Sequence, residues 1–275
     1  MIPFTKMHGL GNDFVVLDLR AGGAVPDADA ARAIADRRRG VGCDQIILIE
    51  AASGRGVAAR LRFLNADGSE SGACGNGTRC VAAALMRETG TDRLELETPG
   101  GRLRAMAGPD GLVTVDMGPA HLDWRDVPLA READTLHLDI TLGPLHDPVA
   151  VGMGNPHCVF FVDDAEDIEL AGLGPQIEHH PMFPERTNVE VATVAGSGHI
   201  RLRVWERGAG VTMACGSGAC ATVVAAHRRG LTGRRAELLM DGGTLVAEWR
   251  EDNHVLLTGP VAVSFTGVLD EGMAA

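Results

Sequence analysis

The sequence predicts an α+β fold built as two repeated halves, with strands wrapped around one central helix in each half. Three observations predict it. First, landmarks recur in the same order about half a chain apart. Gly9-Leu10-Gly11-Asn12 answers Gly152-Met153-Gly154-Asn155, and Asp44-Gln45-Ile46 answers Thr187-Asn188-Val189. Asn65 falls opposite Glu206, Cys74-Gly75-Asn76-Gly77 opposite Cys215-Gly216-Ser217-Gly218, and Gly118-Pro119 opposite Gly259-Pro260. Second, short runs alternate apolar with polar residues and end in Gly or Pro turns, the mark of half-buried strands. Third, helical patterns are few, and two of them follow the two Cys-Gly-x-Gly motifs.

Taken in order, Phe14-Val15-Val16-Leu17-Asp18 reads as an early strand and residues 28–38 as a helix. Leu61-Arg62-Phe63-Leu64 reads as a strand before the Ala-rich helix 77–88. Leu94-Glu95-Leu96-Glu97 and Val113-Thr114-Val115-Asp116 complete the first half. In the second, Val159-Phe160-Phe161-Val162-Asp163 and Ile200-Arg201-Leu202-Arg203-Val204-Trp205 read as strands, and 218–229 as the second Ala-rich helix. The boundary is expected near Gly118-Pro119-Ala120, because 120–139 carries neither repeat nor periodicity. Such a repeat is far longer than the roughly 20–50 residues of solenoids and indicates two fused domains, with the cleft between them as the expected ligand site.

A formal net charge of −12 works against polyanionic partners, so neither nucleic acid nor an anionic membrane is expected. The partner is expected to be a small molecule. Lys6 is the single lysine and sits in no cofactor motif, which weakens a pyridoxal-phosphate reading. Without a charged-then-apolar leader or a stretch of about 20 apolar residues, a cytoplasmic location is expected. Six cysteines with no Cys-x-x-Cys pair suggest neither a disulfide framework nor a zinc site, so no metal is expected.

A thiol just before Gly-x-Gly and an Ala-rich run sits at a helix N-terminus, where unpaired N–H groups favour its thiolate. Cys74 and Cys215 share that setting, one per half. Facing one carbon from opposite sides, such a pair removes a proton and replaces it on the other face, inverting a stereocentre. N–H groups of the two glycine-rich turns suit a carboxylate beside that carbon. Asn12, Gln45, Asn65, Asn155 and Asn188 are neutral readers at equivalent turns and strand ends. Glu206 and Arg207 offer an ammonium acceptor and a carboxylate fork, and His157 a group able to tune a thiol. Cys43, Cys80, Cys158 and Cys220 lack repeat symmetry and read as packing residues.

At these residues the chain resembles the diaminopimelate epimerases. The resemblance runs from Met7-His8-Gly9-Leu10-Gly11-Asn12-Asp13-Phe14 through Gly42-Cys43-Asp44-Gln45, Asn65-Ala66-Asp67-Gly68 and Gly154-Asn155-Pro156-His157 to Glu206-Arg207-Gly208 and Ala214-Cys215-Gly216-Ser217-Gly218. It implies two pseudo-symmetric halves, each a β-barrel-like sheet around a central helix, spanning 1–119 (completed by 264–275) and 120–263. It also implies a cofactor-independent homodimer interconverting LL- and meso-diaminopimelate on the route to lysine and peptidoglycan. Cys74 and Cys215 are then the acid/base pair, with His157 and Glu206 as thiol-tuning residues. The substrate-binding set is Asn12, Gln45, Asn65, Gly75, Asn76, Asn155, Asn188, Glu206, Arg207, Gly216 and Ser217. Two other readings stand beside it: a racemase of proline or hydroxyproline type on the same scaffold, and a non-catalytic ligand-binding or thiol-redox protein.

Overall fold

The first unit comprises Met1–Val115 and the chain from Gly259 onward, and the second is Asp116–Thr258. Both are seen in a computed structural model that describes residues 1–72 and 74–270; Ala73 and positions 271–275 of the tail expected to complete the first half lie outside the described residues.

In the first unit the strands are β1 Ile2–Gly9, β2 Asn12–Asp18, β3 Gln45–Glu50, β4 Ala59–Asn65, β5 Glu70–Ser71, β6 Arg93–Thr98, β7 Gly101–Ala107 and β8 Val113–Pro119. The helices are α1 Ala28–Ala35 and α2 Gly75–Thr89. A tight turn at Leu10 (φ 57°) and Gly11 (φ 81°) joins β1 to β2; two successive left-handed residues match the twist of an antiparallel hairpin. β2 then pairs with β3 in parallel, which requires a crossover, and α1 lies in it. Asp27 caps α1 by accepting from Ala30 N–H at 2.8 Å. The helix ends at Ala35, three residues short of its predicted end, because Asp36 turns extended and its carboxylate accepts from Arg38 and Arg39 N–H.

β3 and β4 are antiparallel, β4 and β6 are parallel across α2, and β6, β7 and β8 form a meander. α2 packs against β1, β2, β6 and β7, so the sheet curls around it. Both faces are consequently buried, from Asn76 to Met86, and left-handed Gly90 (φ 69°) terminates the helix.

The second unit repeats the pattern. Its strands are β9 Thr141–Leu142, β10 Leu145–His146, β11 Val149–Gly152, β12 Pro156–Phe161, β13 Asn188–Val194, β14 His199–Glu206, β15 Gly210–Thr212, β16 Arg235–Met240, β17 Gly243–Trp249 and β18 His254–Gly259. Its helices are α3 Leu170–Glu178 and α4 Gly216–Arg228. β11–β12 is antiparallel, β12–β13 parallel, β13–β14 antiparallel, β14–β16 parallel, and β16–β17–β18 a meander, the order of the first unit. α4 packs on β11, β12, β13, β16 and β17. Ten residues of α4 are buried, six of them Ala or Gly, which lets the strands approach closely. The two halves are therefore pseudo-symmetric, each a curled sheet around a central helix.

α3 is a helix that sequence patterning misses, because Gly172, Gly174 and Pro175 weaken its signal. Gly174 is required there: a β-carbon would lie 2.6 Å from Trp205. The unpatterned stretch after residue 120 is a coil that docks Val127, Leu129 and Leu138 into a core with Phe160, Val189 and Val191. The last strand, β19 Ala262–Leu269, runs antiparallel to β1. Lys6, buried on β1, donates to Asp13 at 2.6 Å and to the Gly42 carbonyl, holding the β2–β3 entry together. Among the described residues no helix is long and apolar enough to cross a membrane.

The chain lacks tyrosine and has one lysine, so its buried thiols dominate alkaline titration. Burial pushes Cys43 up to about 11, Cys80 up to about 12 and Cys158 well above the ordinary 9.0. Unfolded thiols lose their protons near 9.0 while these keep them, so stability present below that pH falls as pH rises through it. The expected loss is about 1.4 kcal/mol per thiol per pH unit. Thermal melting from about pH 8 to 11 checks this; a flat melting temperature would contradict it.

Candidate active site

Within the first unit, Cys74 occupies the N-cap of α2 in extended backbone (φ −150°, ψ 98°), and its Sγ accepts from Gly77 N–H at 3.3 Å. Gly75 and Asn76 are the first helical residues, whose N–H groups have no partner within the helix by its geometry. The cradle is tight beneath: a β-carbon on Gly77 would stand 2.6 Å from Ile47 Cδ1, 3.2 Å from Cys74 Sγ and 3.5 Å from Phe14 Cε1. Ile47 and Phe14 are fully buried, so this thiol rests over an apolar floor.

The amides predicted as readers join this site through one another. Asn76 Nδ2 donates to Asn12 Oδ1 at 3.2 Å, and Arg79 Nη2 to Asn76 Oδ1 at 2.7 Å, tying the β1–β2 hairpin to the helix start. Asn12 Nδ2 in turn donates to Asp44 at 2.9 Å. Gln45 Nε2 donates to Asn65 Oδ1 at 2.8 Å across the β3–β4 register, on the face of β3 that carries Ile47. Asn65 also donates to Ser69 Oγ at 3.0 Å.

Within the second unit, Cys215 is the N-cap of α4 (φ −117°, ψ 114°), with Gly218 N–H donating to its Sγ at 3.4 Å and Ser217 Oγ 3.6 Å away. Burial, and then the Glu206 and Glu190 carboxylates, push this thiol well above its ordinary range. Burial likewise raises the Glu206 carboxyl, against hydrogen bonds from Thr212 (2.5 Å) and Cys215. Asn188, buried at the start of β13, donates to the Pro156 carbonyl at 3.0 Å and accepts from Arg207 N–H at 2.9 Å. It thereby fixes the turn that carries Arg207, whose guanidinium donates to the Glu185 carbonyl.

His157 is fully buried, its Nδ1 2.7 Å from Glu190 Oε1 and its Nε2 2.9 Å from Asn155 Oδ1. A carboxylate only accepts, so Nδ1–H donates to Glu190. Sequence reasoning missed Glu190. Its signal is a charge inside the apolar run Val189-Glu190-Val191, at the repeat position that Ile47 holds in the first half. The registers agree: Phe14 faces Gln45 as His157 faces Asn188. A β-carbon on Gly218 would lie 2.8 Å from Glu190 Oε1, so a His–Glu pair stands under Cys215 where Phe14 and Ile47 stand under Cys74. Among the described residues, no group of three or more His, Cys, Asp or Glu side chains is arranged to hold a metal ion.

Gly77→Ala and Gly218→Ala are each expected to lower stability by about 1–3 kcal/mol, read from denaturant midpoints. Gly72→Ala and Gly233→Ala, whose β-carbons meet nothing within 4 Å, serve as controls. Equal effects at all four positions would contradict the cradle packing.

Pseudo-symmetric α+β halves, each presenting a cysteine at the start of its central helix, define a class of protein whose fold recurs in solved structures. A hydroxyproline epimerase from Agrobacterium vitis superposes with a TM-score of 0.69 at 17% identity, over 99% of this chain and 94% of its own. A phenazine biosynthesis protein of the PhzF family from Enterococcus faecalis superposes at 0.70 and 15% identity, over 98% of this chain and 99% of its own. Identity is far higher to a diaminopimelate epimerase of Rhodospirillum centenum, 60% over 98% of this chain and 92% of the relative. One of Acidiphilium cryptum is 59% identical over 99% and 98%. The diaminopimelate epimerase family matches residues 4–122 and 149–264. The chain belongs to that family, and it is an enzyme of the isomerase class.

Proposed function

We propose that this enzyme interconverts LL- and meso-2,6-diaminopimelate by two-base proton transfer at one α-carbon. One observation carries the mechanism: each half independently builds the same thiol cradle, with Sγ accepting from the third N–H of its central helix. One thiolate takes the α-proton, and the electron pair left on carbon spreads into the adjacent carboxylate. The opposite thiol donates its proton to the other face and becomes the thiolate, so the two sulfurs end with exchanged roles. The chemistry is assigned to the chain's own thiols and needs no cofactor.

Gly75, Asn76, Gly216 and Ser217 N–H groups hold the reacting carboxylate, where negative charge develops. Glu206 accepts from the α-ammonium. Asn12, Gln45, Asn65, Asn155, Asn188 and Arg207 address the distal amino-acid end, which a single small amino acid lacks. In this reading the enzyme supplies lysine and peptidoglycan precursors in the cytoplasm and binds neither nucleic acid nor membrane. It acts as a homodimer, a state favoured by the exposed apolar side chains of β19, Val263, Phe265 and Val268. Turnover of LL-diaminopimelate and of L-proline, followed by chiral chromatography, tests the substrate. Inversion of the first with little of the second is expected; the reverse preference would overturn the reading.

A further inference from the structure

The two thiol cradles are alike in backbone and unlike underneath, and the difference is electrostatic. A helix N-terminus carries partial positive charge that stabilises a thiolate placed on it. Under α2 the floor is Ile47 and Phe14, which leave that charge for Cys74. Under α4 the floor is Glu190, whose Oε1 reaches the first turn at Gly218. Glu190 is fully buried, accepts from His157 through Oε1, and its Oε2 has no hydrogen-bond partner among the described residues. A buried carboxylate satisfied by His157 on one oxygen alone retains a strong field, and that field reaches the start of α4 at Gly218.

We propose that Glu190 is a positioning residue that neutralises the positive end of α4 and so keeps Cys215 the neutral thiol at rest, leaving Cys74 as the resting thiolate. This rests on the two-base reading above and adds to it a direction. The resting enzyme removes the proton with Cys74 and returns one from Cys215. Glu190 touches neither substrate nor reacting atom and acts through the helix terminus and through His157.

The acidic groups around Cys215 agree in sign. Glu206 reaches it from β14 and Glu190 from β13, both raising the thiol, while His157 and Cys158 flank Glu190 on β12. Around Cys74, the nearby groups on its own helix are Arg79 and Cys80, and β2 and β3 present Phe14 and Ile47.

The test follows thiolate ultraviolet absorbance against pH in the full chain, with Cys74→Ala isolating Cys215 and Cys215→Ala isolating Cys74. Subtracting the titration of the Cys74→Ala, Cys215→Ala double variant removes the other thiols, among them Cys43 and Cys80, pushed to about 11 and about 12. The expected midpoint for Cys74 lies at least about one pH unit below that for Cys215. Glu190→Gln, which keeps an acceptor for His157 Nδ1–H, is expected to bring the Cys215 midpoint down by about one unit or more and leave that of Cys74 in place. A Cys215 midpoint at or below that of Cys74 overturns the proposal, even if Glu190→Gln does not fold. A Cys215 midpoint unmoved by Glu190→Gln overturns it too. Solvent deuterium entry into product in the unaltered enzyme separates either failure from a failure of the two-base reading.

Discussion

Replacing Cys74 or Cys215 with alanine is expected to lower kcat for epimerisation by about 10²–10⁴-fold, the usual worth of a positioned acid or base. Each variant also leaves a signature. With Cys215 removed, Cys74 still takes the α-proton from the stereoisomer whose hydrogen faces it, but no acid waits on the other side. The carbanion is reprotonated where it lost its proton, so that isomer exchanges with solvent without inverting. With Cys74 removed, the other isomer exchanges. Chiral separation with mass spectrometry after incubation in heavy water checks both. Loss of inversion with each variant exchanging a different isomer is expected; a single-cysteine variant that still inverts at the parental rate would show that its thiol is dispensable. Gly77 and Gly218 N–H donate to the two sulfurs, so each substitution removes a helix cap together with the thiol.

His157→Phe is expected to destabilise the protein by about 3–5 kcal/mol, because it leaves the Glu190 carboxylate buried without its partner. Adding Glu190→Ile recovers most of that loss. The double replacement installs the Phe–Ile floor that Phe14 and Ile47 form at the same register of the first half, and exchanging both members of a buried polar pair for apolar side chains is often neutral. Urea unfolding of wild type, both singles and the double forms a closed cycle. A coupling of several kcal/mol is expected. Additive singles, or a double variant less stable than His157→Phe, would show that the pair is not the energetic unit described.

Much of the fold is legible because the duplication offers two readings of each element. The Cys-Gly-x-Gly starts of α2 and α4, the alternation of β4 and β14, and the turn glycines all appear twice, so a weak signal in one half is supported by the other. α3 is hidden because its glycines accommodate Trp205, a tertiary requirement with no local periodicity. It was still recoverable, since the parallel β12–β13 pair needs the crossover that α1 supplies between β2 and β3.

The candidate site shows the same division. Amides at turns and strand ends announce themselves as polar residues at repeat-equivalent places; the first half joins them in pairs by hydrogen bonds, and in the second Asn188 bonds Arg207 N–H and Asn155 bonds His157. Glu190 does not announce itself, because one acid inside an apolar strand resembles an outward-facing residue. Its burial follows from the central helix, which covers that face of β13. The informative sign is the mismatch with Ile47, a buried charge at a position where the duplicated scaffold keeps its backbone and the first half is apolar.

If two thiols serve one carbon from opposite faces, as proposed above, the isotope content of the first product molecules reveals it. When the unaltered enzyme turns over LL-diaminopimelate in heavy water, product sampled at low conversion should carry one deuterium at the inverted centre, while unreacted substrate remains protiated. Product that retains the original hydrogen, or recovered substrate that gains deuterium as fast as product forms, would mean that a single base serves both faces and would contradict the account.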